Sequence, residues 1–222
     1  MSIKAVIFDL DGTLLDTLED LWTSTNAALQ AYGYPTRTID EVRTFVGNGV
    51  KLLMLRAMGI EQPQDDERFE EVFAAFRAHY AVHSNDHTHP YDGVPQLLQK
   101  LQQDGIEMAI VSNKLDPAVK QLNEIYFKQY IHVAIGEHEA AGVKKKPAPD
   151  TVFAALRELA VKPEEAIYIG DSEVDIATAK NAGLPCVSVL WGFRDRTCLL
   201  EHGAQTLCET PAEVAANLAR LY

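Results

Sequence analysis

Short apolar runs alternate with amphipathic segments along most of the chain. The first run, residues 3–8, is rich in branched side chains and stops abruptly at Asp9, which predicts a buried strand rather than a helix. Segments of helical periodicity separate the later apolar runs, and this alternation indicates βαβ units in a parallel sheet. The predicted strands are 3–8, 107–111, 131–135, 166–169 and 186–190, and the predicted helices of this part are 93–104, 116–126, 149–160, 174–182 and 211–221.

Residues 14–83 have a different pattern. Apolar residues recur there at helical spacing, and no alternation typical of a strand follows Asp16. A helical block directly after the first strand indicates a small domain inserted into a loop of a larger one. We therefore predict an α/β protein with a doubly wound parallel-sheet (Rossmann-like) core of residues 1–15 and 86–222 and an inserted all-helical domain of residues 16–85.

The composition is that of an ordinary globular protein, with 47% hydrophobic and 23% charged residues among 222. A net charge of −12 disfavours nucleic acid and anionic membranes as partners. No apolar stretch approaches the ~18–20 residues that cross a bilayer, and the N-terminus enters a strand without a leader pattern. We therefore expect a cytoplasmic protein, with Cys186, Cys198 and Cys208 as reduced thiols.

Polar and charged residues cluster where the predicted strands end. Each group alone is as typical of a helix cap or a solvated lysine run as of a site. Because the carboxyl ends of parallel strands meet at one edge of a sheet, the four groups together indicate a ligand site. The groups are Asp9-Leu10-Asp11-Gly12-Thr13, Ser112-Asn113-Lys114, Lys144-Lys145-Lys146-Pro147, and Gly170-Asp171-Ser172 with Asp175.

Asp9 and Asp11 are two residues apart, so an extended chain would point both carboxylates toward one place. Two carboxylates there repel each other unless a cation or a shared proton separates them. A carboxylate can attack phosphorus, a second can move protons, and Mg²⁺ prefers oxygen ligands. A hydroxyl group and a lysine can hold the remaining phosphate oxygens. These residue types therefore suit phosphoryl transfer.

The chain resembles the phosphatases of the haloacid dehalogenase (HAD) superfamily, and within it the phosphoglycolate phosphatase-like group. The resemblance implies a Mg²⁺-dependent phosphatase that hydrolyses a small phosphomonoester through an aspartyl-phosphate, with 2-phosphoglycolate as the first substrate to test. Four motifs in order carry the resemblance over nearly the whole chain: Asp9-Leu10-Asp11-Gly12-Thr13, Ser112-Asn113, Lys146-Pro147, and Gly170-Asp171-Ser172-Glu173-Val174-Asp175.

The resemblance also implies residue roles. Asp9 would be the nucleophile and Asp11 the general acid and base. Asp175 would support the metal or orient Lys146, which is chosen among three adjacent lysines because it alone precedes Pro147. The implied metal-site residues are Asp9, Asp11 (through its backbone carbonyl), Asp171 and Asp175, and the implied phosphate-binding residues are Thr13, Ser112, Asn113 and Lys146.

The same resemblance makes the helical domain a C1-type cap that closes over the site and excludes water. The segment around Gly47-Asn48-Gly49 is similar to the cap loop of phosphoglycolate phosphatases. Asn48, Lys51 and Arg56 are therefore candidates for binding a substrate carboxylate.

Other functions share these motifs. A pyrophosphatase, a nucleotide or sugar-phosphate phosphatase and a β-phosphoglucomutase-like phosphotransferase are alternatives, as is a non-enzymatic protein that binds a phosphorylated ligand. Dehalogenases that resemble this fold lack a carboxylate at the position of Asp11, which disfavours dehalogenation. The expected partner is a small phosphorylated metabolite, bound by a monomer or a homodimer.

Overall fold

The computed structural model describes residues 3–137 and 142–220. It divides the chain into two compact units. The first, here called the core unit, combines the residues up to Leu15 with those from Pro90 onward. The second, here called the helical unit, is Asp16–His89.

The core unit is built on a parallel sheet. Within the described residues its strands are ordered β5-β4-β1-β6-β7-β8, so that β1 lies between β4 and β6. The strands of this sheet that follow β1 in the chain therefore extend it first on one side of β1, through β4 and β5, and then on the other side, through β6, β7 and β8. The strands are β1 (Ala5–Phe8), β4 (Glu107–Leu115), β5 (Val133–Glu137), β6 (Ala166–Gly170), β7 (Cys186–Val189) and β8 (Thr206–Cys208).

Both faces of this sheet are covered by helices. Successive residues of β1 point to opposite faces, so Val6 and Phe8 join one apolar cluster while Ala5 and Ile7 join another. The first cluster includes residues of α5, α6 and α10, and the second includes residues of α7 and α8. Burial on both faces explains the unbroken apolar runs, and the predicted α/β class is confirmed. The helices are α5 (Val94–Gln103), α6 (Asp116–Tyr126), α7 (Asp150–Glu158), α8 (Glu173–Ala182), α9 (Arg196–Glu201) and α10 (Pro211–Leu218).

One strand differs from its predicted length in a way that matters for the site. The prediction ended this strand at Val111, whereas β4 continues to Leu115 and contains Ser112-Asn113-Lys114. The extension arises because pairing with β5 resumes at Leu115 after a register shift. The pattern also missed α9 and β8, both of which are short and only partly buried.

The helical unit packs amphipathic helices on each other. The helical pattern of residues 14–83 becomes a helix only at Leu18, where the Asp16 carboxylate accepts the Leu18 amide at 3.1 Å. Leu15–Asp16 instead forms a short strand, β2, that pairs with β3 (His89–Pro90). The helices are α1 (Leu18–Ala31), α2 (Ile39–Phe45), α3 (Val50–Met58) and α4 (Phe69–His83).

A buried carboxylate fixes the end of this unit. Asp20 of α1 accepts the backbone amides of His87 and Thr88, both at 2.9 Å, and the Thr88 hydroxyl at 2.7 Å. These hydrogen bonds stabilise the Asp20 carboxylate, whose negative charge would be costly to bury without partners. No helix in the described ranges has the length and apolar character needed to cross a membrane. Cys186, Cys198 and Cys208 are free thiols.

Candidate active site

The candidate site lies at the carboxyl end of the core sheet, around β1. Asp9 follows β1 directly, and its amide donates to the carbonyl of Ile169 in β6 at 2.9 Å. Asp171 follows β6, and Ser112 lies in the last part of β4 on the other side of β1. The central position of β1 therefore brings side chains from distant parts of the chain to one place, as expected where the strand order reverses.

Three buried carboxylates form the centre of the site. Asp9, Asp171 and Asp175 each offer an oxygen, and these oxygens lie within 4.8 Å of one another. Burial, followed by repulsion from Asp175, raises the pKa of Asp9 well above its usual range. The same two causes raise the pKa of Asp171 to about 7. Such a set of oxygen donors could hold a divalent cation, which would offset the repulsion.

Lys146 is the cation beside this acidic cluster. Its ammonium lies 2.9 Å from Asp9 Oδ1 and 2.8 Å from Asp175 Oδ1, and its side chain is buried. Burial alone lowers the pKa of Lys146, but Asp175 and Asp9 outweigh burial and raise it above the ordinary value. The lysine is therefore charged, and it pairs with two of the three carboxylates.

Asp175 has both carboxylate oxygens engaged within the core unit. Oδ1 accepts from Lys146 and from the Tyr168 hydroxyl at 3.0 Å, while Oδ2 accepts the amide and the hydroxyl of Ser172 at 3.1 and 2.6 Å. Tyr168 lies in the buried strand β6, where the sequence gives no sign that an aromatic residue has a polar role. This geometry favours a role for Asp175 in orienting Lys146.

Asp171 is fixed by groups on both sides. The Thr13 hydroxyl donates to Oδ1 at 3.2 Å, and the Phe193 amide donates to Oδ2 at 2.7 Å. The backbone also approaches closely: a β-carbon at Gly12, whose φ is +84°, would lie 2.4 Å from Asp171 Oδ2. The loop after β7 therefore contributes the Phe193 amide to the site. The sequence did not predict this contribution, because a backbone amide has no signature in the sequence.

The side chains of Asn113 and Ser112 form hydrogen bonds with the backbone of Lys146 and Lys114, respectively. The Asn113 side chain donates to the Lys146 carbonyl at 3.1 Å and accepts the Lys146 amide at 2.8 Å. Ser112 Oγ accepts the amide of Lys114 at 3.2 Å. Asn113 therefore contacts the backbone of the site lysine, and the role at the phosphate that the resemblance implies stays a prediction.

The Asp11 carboxylate is not one of the three that form the acidic cluster of the described residues. The expected convergence with Asp9 assumed an extended chain, but β1 ends at Phe8. A tight turn follows, in which the Leu10 carbonyl accepts the amides of residues 13–15. The Asp11 carboxylate instead binds Lys114 Nζ at 2.7 Å.

The predicted substrate-binding residues of the helical unit lie on or near α3. Asn48 precedes that helix, and the Lys51 ammonium lies 5.9 Å from the centre of the Phe69 ring. Arg56 donates to the Phe45 carbonyl at 2.7 Å, which gives it a structural role between α2 and α3.

Residues 6–189 match the model of one protein family, described as haloacid dehalogenase-like hydrolase. The chain belongs to the haloacid dehalogenase-like hydrolase family. This HAD membership confirms the resemblance drawn from the four motifs.

Curated relatives match the HAD chain over nearly its full length. It is 34% identical to phosphoglycolate phosphatase of Vibrio parahaemolyticus over 225 residues, which cover 99% of this chain and 94% of the relative. It is 32% identical to phosphoglycolate phosphatase 1 of Pseudomonas aeruginosa, with 98% of this chain and 78% of the relative covered.

Solved HAD structures share the fold. A crystal structure from Lactobacillus delbrueckii subsp. bulgaricus superposes with a TM-score of 0.91 at 34% identity and covers 98% of this chain and 99% of its own. CbbY from Rhodobacter sphaeroides, crystallised with phosphate, has a TM-score of 0.75 at 26% identity, with 96% of each chain covered.

Proposed function

We propose that this protein is a Mg²⁺-dependent phosphatase that hydrolyses a small phosphomonoester, first of all 2-phosphoglycolate, through a phosphorylated Asp9. The observation that carries the proposal is the buried Asp9 carboxylate, 2.9 Å from Lys146 and within the cluster of Asp171 and Asp175. The two curated relatives described above are phosphoglycolate phosphatases. A buried nucleophile beside one fixed cation is an arrangement suited to binding and attacking a phosphoryl group.

In the first step, an Asp9 carboxylate oxygen attacks phosphorus and the bond from phosphorus to the ester oxygen breaks. Asp11 donates its proton to the departing oxygen, so that the alcohol leaves neutral. Lys146 neutralises part of the charge on the phosphoryl oxygens, and Ser112 donates a hydrogen bond to them. Asp9 then carries the phosphoryl group as an acyl phosphate.

In the second step, water attacks the phosphorus of this acyl phosphate. Asp11, now ionised, accepts a proton from the water, and the bond between phosphorus and Asp9 breaks. Inorganic phosphate leaves, and Asp9 and Asp11 return to their starting protonation states. Asp175 and Asn113 keep Lys146 in place through both steps by their bonds to its ammonium and its backbone.

The metal would be held by Asp9, Asp171 and the backbone carbonyl of Asp11. Three buried carboxylates facing one lysine fit a divalent cation, because the cation supplies the missing positive charge. Mg²⁺ prefers oxygen donors and, when bound, offsets the repulsion between the nucleophile and the phosphate dianion.

The cation requirement gives a pH-dependent prediction. The pKa of Asp171 is about 7 when folded against an ordinary 3.8, so the folded state binds a proton that the unfolded chain has released between these values. Stability of the metal-free protein should therefore fall as pH rises from about 4 to about 7, and level off above that. Scanning calorimetry in a chelator should follow this fall, and millimolar Mg²⁺ should raise the melting temperature more at the higher pH.

Asp171→Asn should reduce that slope, because asparagine carries no titrating proton, and the slope that remains is expected from Asp9, whose pKa is also raised by burial and by Asp175. The matched control is Asp92→Asn, which removes an exposed carboxylate and should leave the slope as in wild type. Equal slopes in wild type and Asp171→Asn would contradict the assignment of the slope to this carboxylate.

Substrate choice is assigned to the helical unit by resemblance to phosphoglycolate phosphatases, with Asn48 and Lys51 binding the substrate carboxylate. Sugar phosphates are a second class to test, because a mutant of CbbY, 26% identical to this chain, was crystallised with xylulose-1,5-bisphosphate.

The test is phosphate release from a panel of 2-phosphoglycolate, sugar phosphates, nucleotides and pyrophosphate, with and without Mg²⁺. We expect 2-phosphoglycolate to have the highest kcat/KM. Lys51→Met should raise KM for 2-phosphoglycolate about tenfold, the effect of losing ~1.4 kcal/mol of binding, and leave KM for glycerol phosphate unchanged.

Arg77→Met is the matched control for Lys51, since Arg77 is also a cation over a phenylalanine of the helical unit, 4.8 Å from the Phe73 ring. It should leave both KM values unchanged. A higher kcat/KM for a different ester would instead assign the substrate to the class of that ester. Absence of release from every ester would contradict the phosphatase itself.

A further inference from the structure

Lys114 is a buried lysine with a fixed partner in the core unit. It lies in β4, its side chain is only 3% exposed, and its ammonium is 2.7 Å from Asp11 Oδ1. Its amide donates to Ser112 Oγ, so its backbone is tied to a phosphate-binding candidate. The motif that includes Ser112 and Asn113 assigned no role to Lys114.

The two aspartates of the first motif are thus divided between two buried lysines. Asp9 is bonded to Lys146, whereas Asp11 is bonded to Lys114. An ion pair of this kind restricts the rotamers of both side chains. Asp11 lies in the turn after β1, while Lys114 is held in the sheet, so the sheet provides the fixed end of the pair.

A general acid must meet the leaving oxygen at hydrogen-bond distance and in the right orientation, and small misplacements reduce the rate strongly. The bond from Lys114 engages Asp11 Oδ1, so it fixes the orientation in which the other oxygen, Oδ2, is presented. We propose that Lys114 is a positioning residue that holds the Asp11 carboxyl group for proton transfer to the leaving group. This proposal rests on the proposed phosphatase function and on Asp11 as its general acid.

The test compares esters whose leaving groups need protonation to different degrees. An alkoxide such as that of ethyl phosphate leaves only with a proton, whereas 4-nitrophenolate leaves readily without one. The quantity to measure is kcat/KM, because it covers the reaction only as far as loss of the leaving group and excludes hydrolysis of the acyl phosphate.

Lys114→Met should lower kcat/KM for ethyl phosphate about 10²-fold, the low end of general acid catalysis, and lower it for 4-nitrophenyl phosphate less than about threefold. Lys114→Arg, which keeps a cation that can reach a carboxylate, should recover part of the loss on ethyl phosphate. Circular dichroism and thermal unfolding check the fold, and Lys114→Gln, which keeps a donor of similar reach, replaces the methionine variant if that variant is unfolded.

Lys120→Met is the matched control. It also removes a lysine 2.7 Å from an aspartate, Asp116, but on the exposed surface of α6. We expect wild-type values on both esters.

Equal losses on the two esters, or no loss on either, would overturn the role of Lys114. A loss confined to carboxylated substrates would overturn it as well, because Lys114 would then bind substrate rather than position Asp11. A wild-type enzyme that releases phosphate from neither ester nor from any other phosphomonoester overturns the phosphatase function and this proposal together. With an active wild type, the Lys114 variants test the positioning role alone.

Discussion

Asp9→Asn is expected to lower kcat for every phosphomonoester by at least about 10⁴-fold, because an amide does not form the acyl phosphate of the proposed reaction. Phosphate release measures this loss. Intact mass spectrometry after rapid acid quenching provides a second measurement, since wild type should gain the mass of one phosphoryl group and the variant should not.

Unfolding is not an alternative explanation for this loss. Burial and repulsion from Asp175 raise the pKa of Asp9, so an uncharged residue of the same shape relieves repulsion in the metal-free protein. Asp9→Asn should therefore melt at the same or a higher temperature in a chelator.

The matched control for Asp9→Asn is Asp116→Asn, which changes another buried aspartate bonded to a lysine, 2.7 Å from Lys120, outside the site. It should retain turnover. A phosphorylated Asp9→Asn protein, or one with near wild-type kcat, would assign the nucleophile to another residue.

Lys146→Met is expected to reduce both activity and stability. Its loss leaves Asp9 and Asp175 without their shared cation, and breaking a buried pair in this way costs about 3–5 kcal/mol. Removing a fixed positive donor from the phosphoryl site should also lower kcat about 10²–10³-fold. Chemical denaturation and phosphate release measure the two effects.

Lys146→Arg separates the two effects, because arginine keeps the charge but its planar group does not reproduce contacts to two carboxylates and the Tyr168 hydroxyl. The Lys146→Arg variant should be folded, and its kcat should still be low. The control is Lys144→Met, an exposed lysine of the same run, with wild-type values expected. Wild-type kcat in folded Lys146→Met would contradict a role for this lysine at the phosphate.

Much of the core could be predicted from apolar runs alone. Runs that are buried on both faces are nearly free of polar residues, so residues 3–8 and 166–169 indicated strands of one parallel sheet and placed Asp9 and Asp171 at the same edge. The direct pairing of β1 with β6 was not part of that prediction, because apolar runs do not give the strand order. The choice of Lys146 came from the residue after it, and the structure gives the physical reason: its ammonium is buried between Asp9 and Asp175.

Other features could not be predicted because they depend on contacts between distant residues. The extension of β4 through Lys114 requires pairing with β5 beyond a register shift, and the pattern of β4 alone ends at Val111. The turn after Phe8, from which Asp11 binds Lys114, is closed by backbone bonds that many sequences could make. In the sequence, Tyr168 has the position of an apolar core residue in a buried strand, and only the structure places its hydroxyl group beside Asp175.

The central position of β1 has a consequence for how the enzyme is made. Thr13 bonds to a residue 158 positions away, and Asp11 to one 103 positions away, so the site depends on long chain closures. Such non-local pairing is the slow part of folding, whereas the helices form from nearby residues. During synthesis on the ribosome, Asp9, the proposed nucleophile, is made well before Asp171, its proposed partner at the metal. The proposed site is therefore expected to assemble only after both β1 and β6 have been made.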